Sequence, residues 1–517
     1  MSERPNFLLI STDQQRADHL GCYGASLLQT PHLDALAAAG TRYENAFVAS
    51  PVCMPNRASL LTGRMPSAHG VRHNGLDLPY SARTVADALG AAGWRTSLSG
   101  KPHFQCVTTN AAALAAGDGI ADARWPDDAC YDRESGPAWR ADPDRSLPLP
   151  YYGFQNVDLA VGHGDEVDGN YNRWVTDQGA DLERLRGRAN ALAHERCHDT
   201  LQAWRTAVPE ALYPTRYIQA KTLERLDEHR ASGEPFFHWM SFGDPHHPFT
   251  PPGRWWDRYS PADVTLPVSF AARRAGLTAA VHAERRRGRA NEEGTGAIAV
   301  GEREVRAAIA LTFGMIGLVD DAIGGVLAHL QRSGLAENTV VVFLSDHGDL
   351  MGDHGLLFKG PYHYRSVIRT PLIWRDPDVA GGEVCDDFVS AIDVPASLLA
   401  RAGVARFNGL QGRAFRDAAG LPSAARDSVY IEDEVQHPLP GHEGRARVRT
   451  LLHERWRLTL YDGLAQGELY DLHTDLHELD NRWDDRACAG IRAELTERLL
   501  REMLAHVDDS PLPRYAA

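Results

Sequence analysis

Several short stretches of this sequence put metal ligands, a thiol and cations where apolar runs stop. Asn6-Phe7-Leu8-Leu9-Ile10-Ser11 is a continuous apolar run ending in Thr12-Asp13-Gln14-Gln15, and Thr339–Ser345 repeats the design before Asp346-His347-Gly348. A third run at 235–242 leads into Gly243-Asp244-Pro245-His246-His247-Pro248. Runs of this kind read as strands buried on both faces that deliver polar residues at their carboxyl ends. Asp13, Asp346 and His347 then form an oxygen-rich set suited to one divalent cation, with calcium the first choice and manganese or magnesium behind it.

Cys53-Met54-Pro55-Asn56-Arg57 opens a stretch of helical character that runs to Gly63-Arg64. Pro55 suits the first turn of a helix, which puts Cys53 at the amino end, where the dipole favours anions. Arg57, four residues on, lies on the same face, so a nucleophile and a cation point at one spot. Lys101 two residues before His103, and the prolines flanking His246, favour working roles for both histidines. His247 and His354 read as structural.

These side chains need a scaffold that brings distant segments together. Helical patterns at 30–40 and 84–93 each close on glycine, and Glu302–Ser333 keeps helical spacing up to Gly334. Strands alternating with helices imply an α/β fold: a large, mostly parallel sheet sandwiched by helices. Ligands in such sheets collect outside the carboxyl ends of the strands, which is where Asp13, His246, Asp346 and His347 fall. Residues 104–223 have weak periodicity and read as an insertion shaping the pocket rim or contacting another subunit, as does the polar stretch 284–295. Past about residue 404 the texture changes to short alternating segments at 428–432, 446–452, 456–461 and 468–472, then an amphipathic helix at 489–505. The expected division is a catalytic domain over 1–403 and a smaller antiparallel sheet plus helix over 404–517.

Composition narrows the function. The 517 residues, 43% hydrophobic and 24% charged, are ordinary for a globular enzyme. A formal charge of -15 disfavours nucleic-acid or anionic-membrane partners, so an anionic substrate needs a local cationic pocket. Seven scattered cysteines without a CxxC pair suggest neither a disulfide framework nor a zinc knuckle. The apolar run at 6–11 is shorter than a signal-peptide core and no run reaches the roughly 20 residues of a membrane span, so a cytoplasmic location is expected.

The CxPxR core at Cys53 resembles the signature of formylglycine-dependent sulfatases of the alkaline phosphatase superfamily. The resemblance extends through Asp13-Gln14, Leu20-Gly21-Cys22-Tyr23-Gly24, Thr30-Pro31-His32-Leu33-Asp34, His69-Gly70 with Asn74, Gly100-Lys101-Pro102-His103, Pro245-His246-His247-Pro248, Ser345-Asp346-His347-Gly348 and Lys359-Gly360, in the family's order. It implies an arylsulfatase-like sulfuric ester hydrolase whose Cys53 is oxidised to formylglycine by a formylglycine-generating enzyme. The hydrated aldehyde would bind the metal through one oxygen and attack sulfur, so residue 53 joins Asp13, Asp346 and His347 as a ligand. By the same resemblance, Arg57 activates the nucleophile, while Lys101, Lys359, Asn74 and the metal hold the sulfate oxygens. His246 protonates the leaving oxygen and His103 takes the proton that releases sulfate.

Two positions depart from the commonest family pattern: Gln14 stands where many sulfatases have Asp, and His347 where they have Asn. Both variants resemble those of phosphonate monoester hydrolases, and that activity, together with phosphodiester hydrolysis, is the nearest rival to sulfate ester hydrolysis. A non-catalytic metal-binding protein and a two-zinc phosphatase fit less well. Every catalytic position holds a competent residue, and the strand ends offer too few ligands for two zinc ions. The substrate expected is a small sulfate ester, with Trp255, Trp256 and the 104–223 stretch as candidate contacts for an aryl, sugar or alcohol group. A homo-oligomer is compatible with this reading.

Overall fold

A computed structural model describes residues 4–107, 129–142, 144–272, 276–435 and 446–513. Its strands are β1 (Asn6–Thr12), β2 (Thr41–Phe47), β3 (Arg95–Gly100), β4 (Asn156–His163), β5 (Glu166–Gly169), β6 (Phe236–Ser241), β7 (Ile298–Ala299), β8 (Thr339–Ser345), β9 (Leu356–Leu357), β10 (Leu372–Arg375), β11 (Glu383–Ser390), β12 (Ser428–Glu434), β13 (Arg447–His453), β14 (Trp456–Tyr461) and β15 (Glu468–Asp471). Nine of them form one sheet in the order β11-β2-β10-β8-β1-β6-β3-β4-β5. The central run β8-β1-β6-β3-β4 is parallel throughout, while β10 pairs antiparallel with β8 and β2, and β5 pairs antiparallel with β4.

Alternation along the strands feeds two cores. In β1, Leu8 and Ile10 face one way and Phe7 and Leu9 the other; in β8, Val341 and Phe343 oppose Val340, Val342 and Leu344. Side chains on successive residues leave a strand on opposite faces, so a continuous apolar run is what a sheet covered on both sides requires. Helices Pro31–Ala38, Pro214–Ser232 and Glu302–Ser333 cover the first face, and Cys53–Thr62, Val85–Ala91 and Asp393–Arg401 the second. Burial of each large apolar side chain contributes about 1.5–3 kcal/mol, which makes these two layers the main stabilising term. Glu302–Ser333 has the length and apolarity of a membrane span, but its apolar residues are buried in the protein's own core.

The expected strands at 6–11, 235–242 and 339–345 all form, within a residue or two. One expectation needs correction. The 104–223 stretch is not wholly an insertion: β4 and β5 continue the main sheet, and its last residues belong to the Pro214–Ser232 helix that covers it. Strand β4, whose ends are half-buried, carries a weaker apolar pattern than β1 or β8. Within the 284–295 stretch and just after it the chain turns back, and Gly296 bridges to Lys359.

Strands β12 to β15 form a separate antiparallel sheet in sequence order. Helix Ala489–Ala505 packs Leu495 and Leu499 against Tyr430, Leu451, Leu458 and Leu469, and that cluster also takes in Ala49, Met65 and Ile392 of the main body. The small sheet therefore leans on the segments that flank the Cys53 helix.

Candidate active site

Parallel register brings the carboxyl ends of β8, β1, β6 and β3 level, so the residues just past them converge. Asp13 follows β1, Asp346 and His347 follow β8, Lys101 follows β3, and His246 lies five residues beyond β6. Helix Cys53–Thr62 starts against the same spot with Cys53 as its first residue and Pro55 in its first turn, as the spacing predicted. Asn56 seats that turn: its Oδ1 accepts from Ala49 N at 2.9 Å and its amide donates to the Asp346 carbonyl. Asn74 caps the turn from the other side, its Oδ1 accepting from Met54 N at 3.1 Å.

Arg57 lies fully buried beneath the site and holds both carboxylates. Its Nε donates to Asp346 Oδ2 at 2.7 Å and its second terminal nitrogen approaches Asp13 Oδ2 at 3.4 Å. The other terminal nitrogen donates to Lys101 O at 2.8 Å and Ser241 Oγ at 2.7 Å, so the guanidinium is satisfied on every side. Burial alone would raise the Asp13 carboxyl, but Lys101, His246, His163 and Arg57 outweigh it and hold it well below the ordinary carboxylate range.

Four donors meet above Arg57. Asp13, Cys53, Asp346 and His347 offer ligand atoms within 4.8 Å of one another, all buried. Cys53 Sγ lies 3.6 Å from Asp13 Oδ1 and 3.1 Å from His347 Nε2. His347 engages the Gly348 carbonyl through Nδ1 at 2.8 Å, which fixes the tautomer that leaves the Nε2 lone pair facing the cluster. Burial first, and Lys359 second, lower its pKa to about 4, so the ring is neutral and ligand-competent. Burial pushes the Cys53 thiol up to about 11, with Asp13 adding to the effect and Lys359 opposing it.

Lys359 bridges the cluster to the histidines. Its Nζ lies 2.9 Å from Cys53 Sγ, 3.1 Å from His347 Nε2, 3.0 Å from His246 Nε2 and 3.0 Å from Gln14 Oε1. Gln14 sits in the left-handed region (φ 63°), its side-chain nitrogen held by Asp349 and by His247 Nδ1, so its carbonyl oxygen faces inward. Lys101 Nζ contacts Asp13 and His163. His103, also at positive φ (59°), is buried with an Nδ1 that finds no partner among the described residues.

Eight of the expected residues thus meet directly: Asp13, Cys53, Arg57, Lys101, His246, Asp346, His347 and Lys359. Asn74 and His103 stand at the border of this cluster. Trp255 and Trp256 do not line it. Both are buried in the main core, Trp255 against the close-packed Gly314 and Gly317 of the long helix. His247 proves to be a support for Gln14 as well as a packing partner of Phe358. Sequence reasoning does not reach His163 and Asp349: neither stands in a motif, and each acts through contacts made only in the fold.

The chain is similar to known proteins along its length. A family model described as sulfatase matches residues 5–404, and one described as N-sulphoglucosamine sulphohydrolase, C-terminal, matches residues 352–505. An arylsulfatase of Clostridium perfringens is 28% identical over 92% of this chain and 90% of its own length. A multifunctional alkaline phosphatase superfamily protein of Trinickia caryophylli is 27% identical over 98% of this chain and 96% of its own. Among solved structures, the phosphonate monoester hydrolase of Agrobacterium radiobacter superposes with a TM-score of 0.76 at 25% identity, over 98% of this chain and 97% of that one.

Proposed function

We propose that this chain, which belongs to the sulfatase family, hydrolyses sulfate monoesters with a formylglycine made from Cys53 as nucleophile and one divalent metal as partner. The observation that carries this reading is the environment of position 53. Its side chain stands among Lys359, His347 and Asp13 in a cluster whose ammonium and guanidinium groups outnumber its carboxylates. Such a place favours an anionic substrate, yet it holds a thiol protonated at neutral pH, which is a poor nucleophile as it stands.

The donor set fits a metal. Two carboxylates and the Gln14 carbonyl oxygen are hard donors of the kind calcium, manganese and magnesium take, and a histidine with its lone pair turned inward adds a borderline donor. Asp13, Asp346, His347 and residue 53 would hold that ion, with Gln14 Oε1 facing the same space. When present, the ion would supply Lewis-acid polarisation and the aldehyde at position 53 a hydroxyl nucleophile.

The chain's own residues do the rest. Arg57 pairs with Asp13 and Asp346 and fixes both, so the ligand geometry is set before substrate arrives. Lys101 and Lys359 flank position 53 and would hold the sulfate oxygens, with Asn74 at the helix start beside them. His246 engages the His247 carbonyl through Nδ1, so its Nε2 is the acceptor of a proton from Lys359. The leaving oxygen would draw its proton through this Lys359–His246 pair. His103, whose Nδ1 has no partner among the described residues, would take the proton that releases sulfate. The implied maturation partner is a formylglycine-generating enzyme.

Hydrolysis of phosphonate monoesters or phosphodiesters is the second reading. The presence of both Gln14 and His347, each meeting Lys359 Nζ, and the likeness to a phosphonate monoester hydrolase favour it, and both ester classes carry a single negative charge.

The test is a tryptic mass spectrum of the peptide containing residue 53, from protein made with and without a formylglycine-generating enzyme. Conversion of the side chain from thiol to aldehyde, rising in step with turnover of 4-nitrophenyl sulfate, is the expected result. Full turnover by the unmodified thiol would overturn the mechanism, and turnover of phenylphosphonate esters alone would favour the second reading.

A further inference from the structure

Outside the motif residues, one side chain touches three parts of the site at once. His163, the last residue of β4, packs its ring face to face with His246, centroids 3.7 Å apart and planes 19° from parallel. Its Nε2 contacts Lys101 Nζ and lies 3.7 Å from Asp13 Oδ2. Within the group Asp13, His163 and His246, it alone is partly open to solvent. Lys101 occupies the space between Asp13 and His163, so these three groups are arranged around an ammonium already provided by the chain.

The hairpin that carries His163 is built to hold it there. Gly162 approaches Gly243 so closely that a Cβ on Gly243 would lie 3.0 Å from the Gly162 carbonyl, drawing the ends of β4 and β6 together. Gly164, at φ +55°, leaves room for Pro248 and Thr250, each of which would lie 2.7 Å from an added Cβ. The hairpin tip therefore rests on the segment just past His246. Asp165 locks the tip from the other side: its buried carboxylate accepts from Thr206 Oγ1 at 2.6 Å, Trp204 Nε1 at 3.1 Å and Gly187 N at 3.1 Å.

From this geometry we infer that His163 is a positioning residue with two separable tasks: its ring face holds His246 in line with the leaving group, and its Nε2 orients Lys101 toward the sulfate oxygens. The inference rests on the sulfatase reading and deepens it. Stacking fixes a ring's plane but not a lysine's direction, whereas an amide at this position keeps a polar partner for Lys101 without a ring. The tasks can thus be taken apart by substitution.

The experiment compares His163→Ala, His163→Phe and His163→Gln in the formylglycine- and metal-loaded enzyme, using 4-nitrophenyl sulfate and phenyl sulfate. A leaving group of low pKa needs little protonation, so loss of a placed acid is felt mainly by the phenyl ester. His163→Ala is expected to lower kcat for phenyl sulfate roughly tenfold more than for 4-nitrophenyl sulfate. His163→Phe restores the wild-type ratio of the two esters but keeps a raised KM; His163→Gln restores KM but not the ratio. Metal content stays at the wild-type level in all three. A ratio unchanged in His163→Ala, or metal lost with activity, would overturn the proposal. Inorganic sulfate binding, followed by calorimetry, gives a readout without turnover: about three- to tenfold weaker in His163→Phe and unchanged in His163→Gln. A wild-type enzyme that turns over no sulfate ester would sink the sulfatase reading, and the sulfate affinities would then decide the Lys101 task alone, equal values refuting it.

Discussion

Arg57 and Arg457 are both wholly buried, and their surroundings differ in one respect. Arg457, in the small C-terminal sheet, pairs with Glu478 and with Glu468 at 3.0 Å, donates to Thr459 Oγ1 at 2.7 Å and lies 4.6 Å from the centroid of Tyr470. Its partners are carboxylates, a hydroxyl and aromatic rings, with no thiol among them. Arg57 also pairs with two carboxylates, but Lys101 and Lys359 crowd the same cluster and a buried cysteine sits in the middle. A buried ion cluster whose carboxylates outnumber its cations, as Glu468 and Glu478 do around Arg457, ties strands together. One that gathers more cations than it has carboxylates, around a reactive atom, is arranged for an anion that comes and goes.

The sharpest way to break that distinction is to remove the atom at the centre. Cys53→Ala is expected to lower kcat for 4-nitrophenyl sulfate by about 10⁴-fold or more, the usual scale for loss of a nucleophile, with the thermal unfolding midpoint held or raised. Residual turnover within about tenfold of the wild type would show that position 53 is not the centre of the chemistry.

Next come the two arginines themselves. Removing one partner of a buried ion pair leaves uncompensated charge and costs about 3–5 kcal/mol. Arg457→Met should lose stability on that scale in urea unfolding and leave kcat untouched. Arg57→Leu should abolish turnover, and part of its stability loss should return on adding calcium, because a divalent ion can take over the neutralisation of Asp13 and Asp346. If both variants lose stability equally with and without calcium, the two clusters are of one kind.

Chelation probes the same contrast more gently. An ion present at about 100 times its dissociation constant stabilises the fold by roughly 2.7 kcal/mol, so dialysis against a chelator should lower the unfolding midpoint and calcium should restore it. Asp346→Asn should erase that response while Glu478→Gln keeps it. Elemental analysis of the untreated protein gives the identity of the ion, with calcium expected.

How much of the site is legible in the sequence follows from the kind of strand involved. β1 and β8 are buried on both faces, so each reads as an unbroken apolar run with its ligands attached at the end, and Asp13, Asp346 and His347 can be placed from sequence. Cys53 and Arg57 are legible because helix geometry sets their four-residue spacing. His163 is not, because β4 has half-buried ends and a mixed composition, and the position of its ring depends on Gly162, Gly164 and Gly243 letting backbones approach. The same holds for Asp349, whose partner Gln14 lies on a different strand end. A charge network that closes only in three dimensions leaves no pattern along the chain.

Glu134 extends the comparison to a buried carboxyl held by neutral donors. It is fully buried, its Oε1 accepts from Tyr151 at 2.7 Å, Phe104 N at 3.0 Å and Gln105 N at 3.2 Å, and its Oε2 has no partner among the described residues. Burial raises its pKa from the usual 4.5 to about 7, the hydrogen bonds only partly opposing it. A carboxyl raised in the folded state binds its proton more tightly there than in the unfolded chain. Its contribution is therefore present below pH 4.5 and is lost as pH rises to 7. Glu134→Gln keeps the accepting oxygen and carries no charge at any pH. Relative to wild type, its stability should improve by about 1–3 kcal/mol between about pH 5 and pH 8 in urea unfolding, a smaller change than those expected above for the arginines. Parallel pH profiles for the two proteins would mean that Glu134 is compensated after all, and that a buried charge beside His103 has a partner the contrast between Arg57 and Arg457 does not account for.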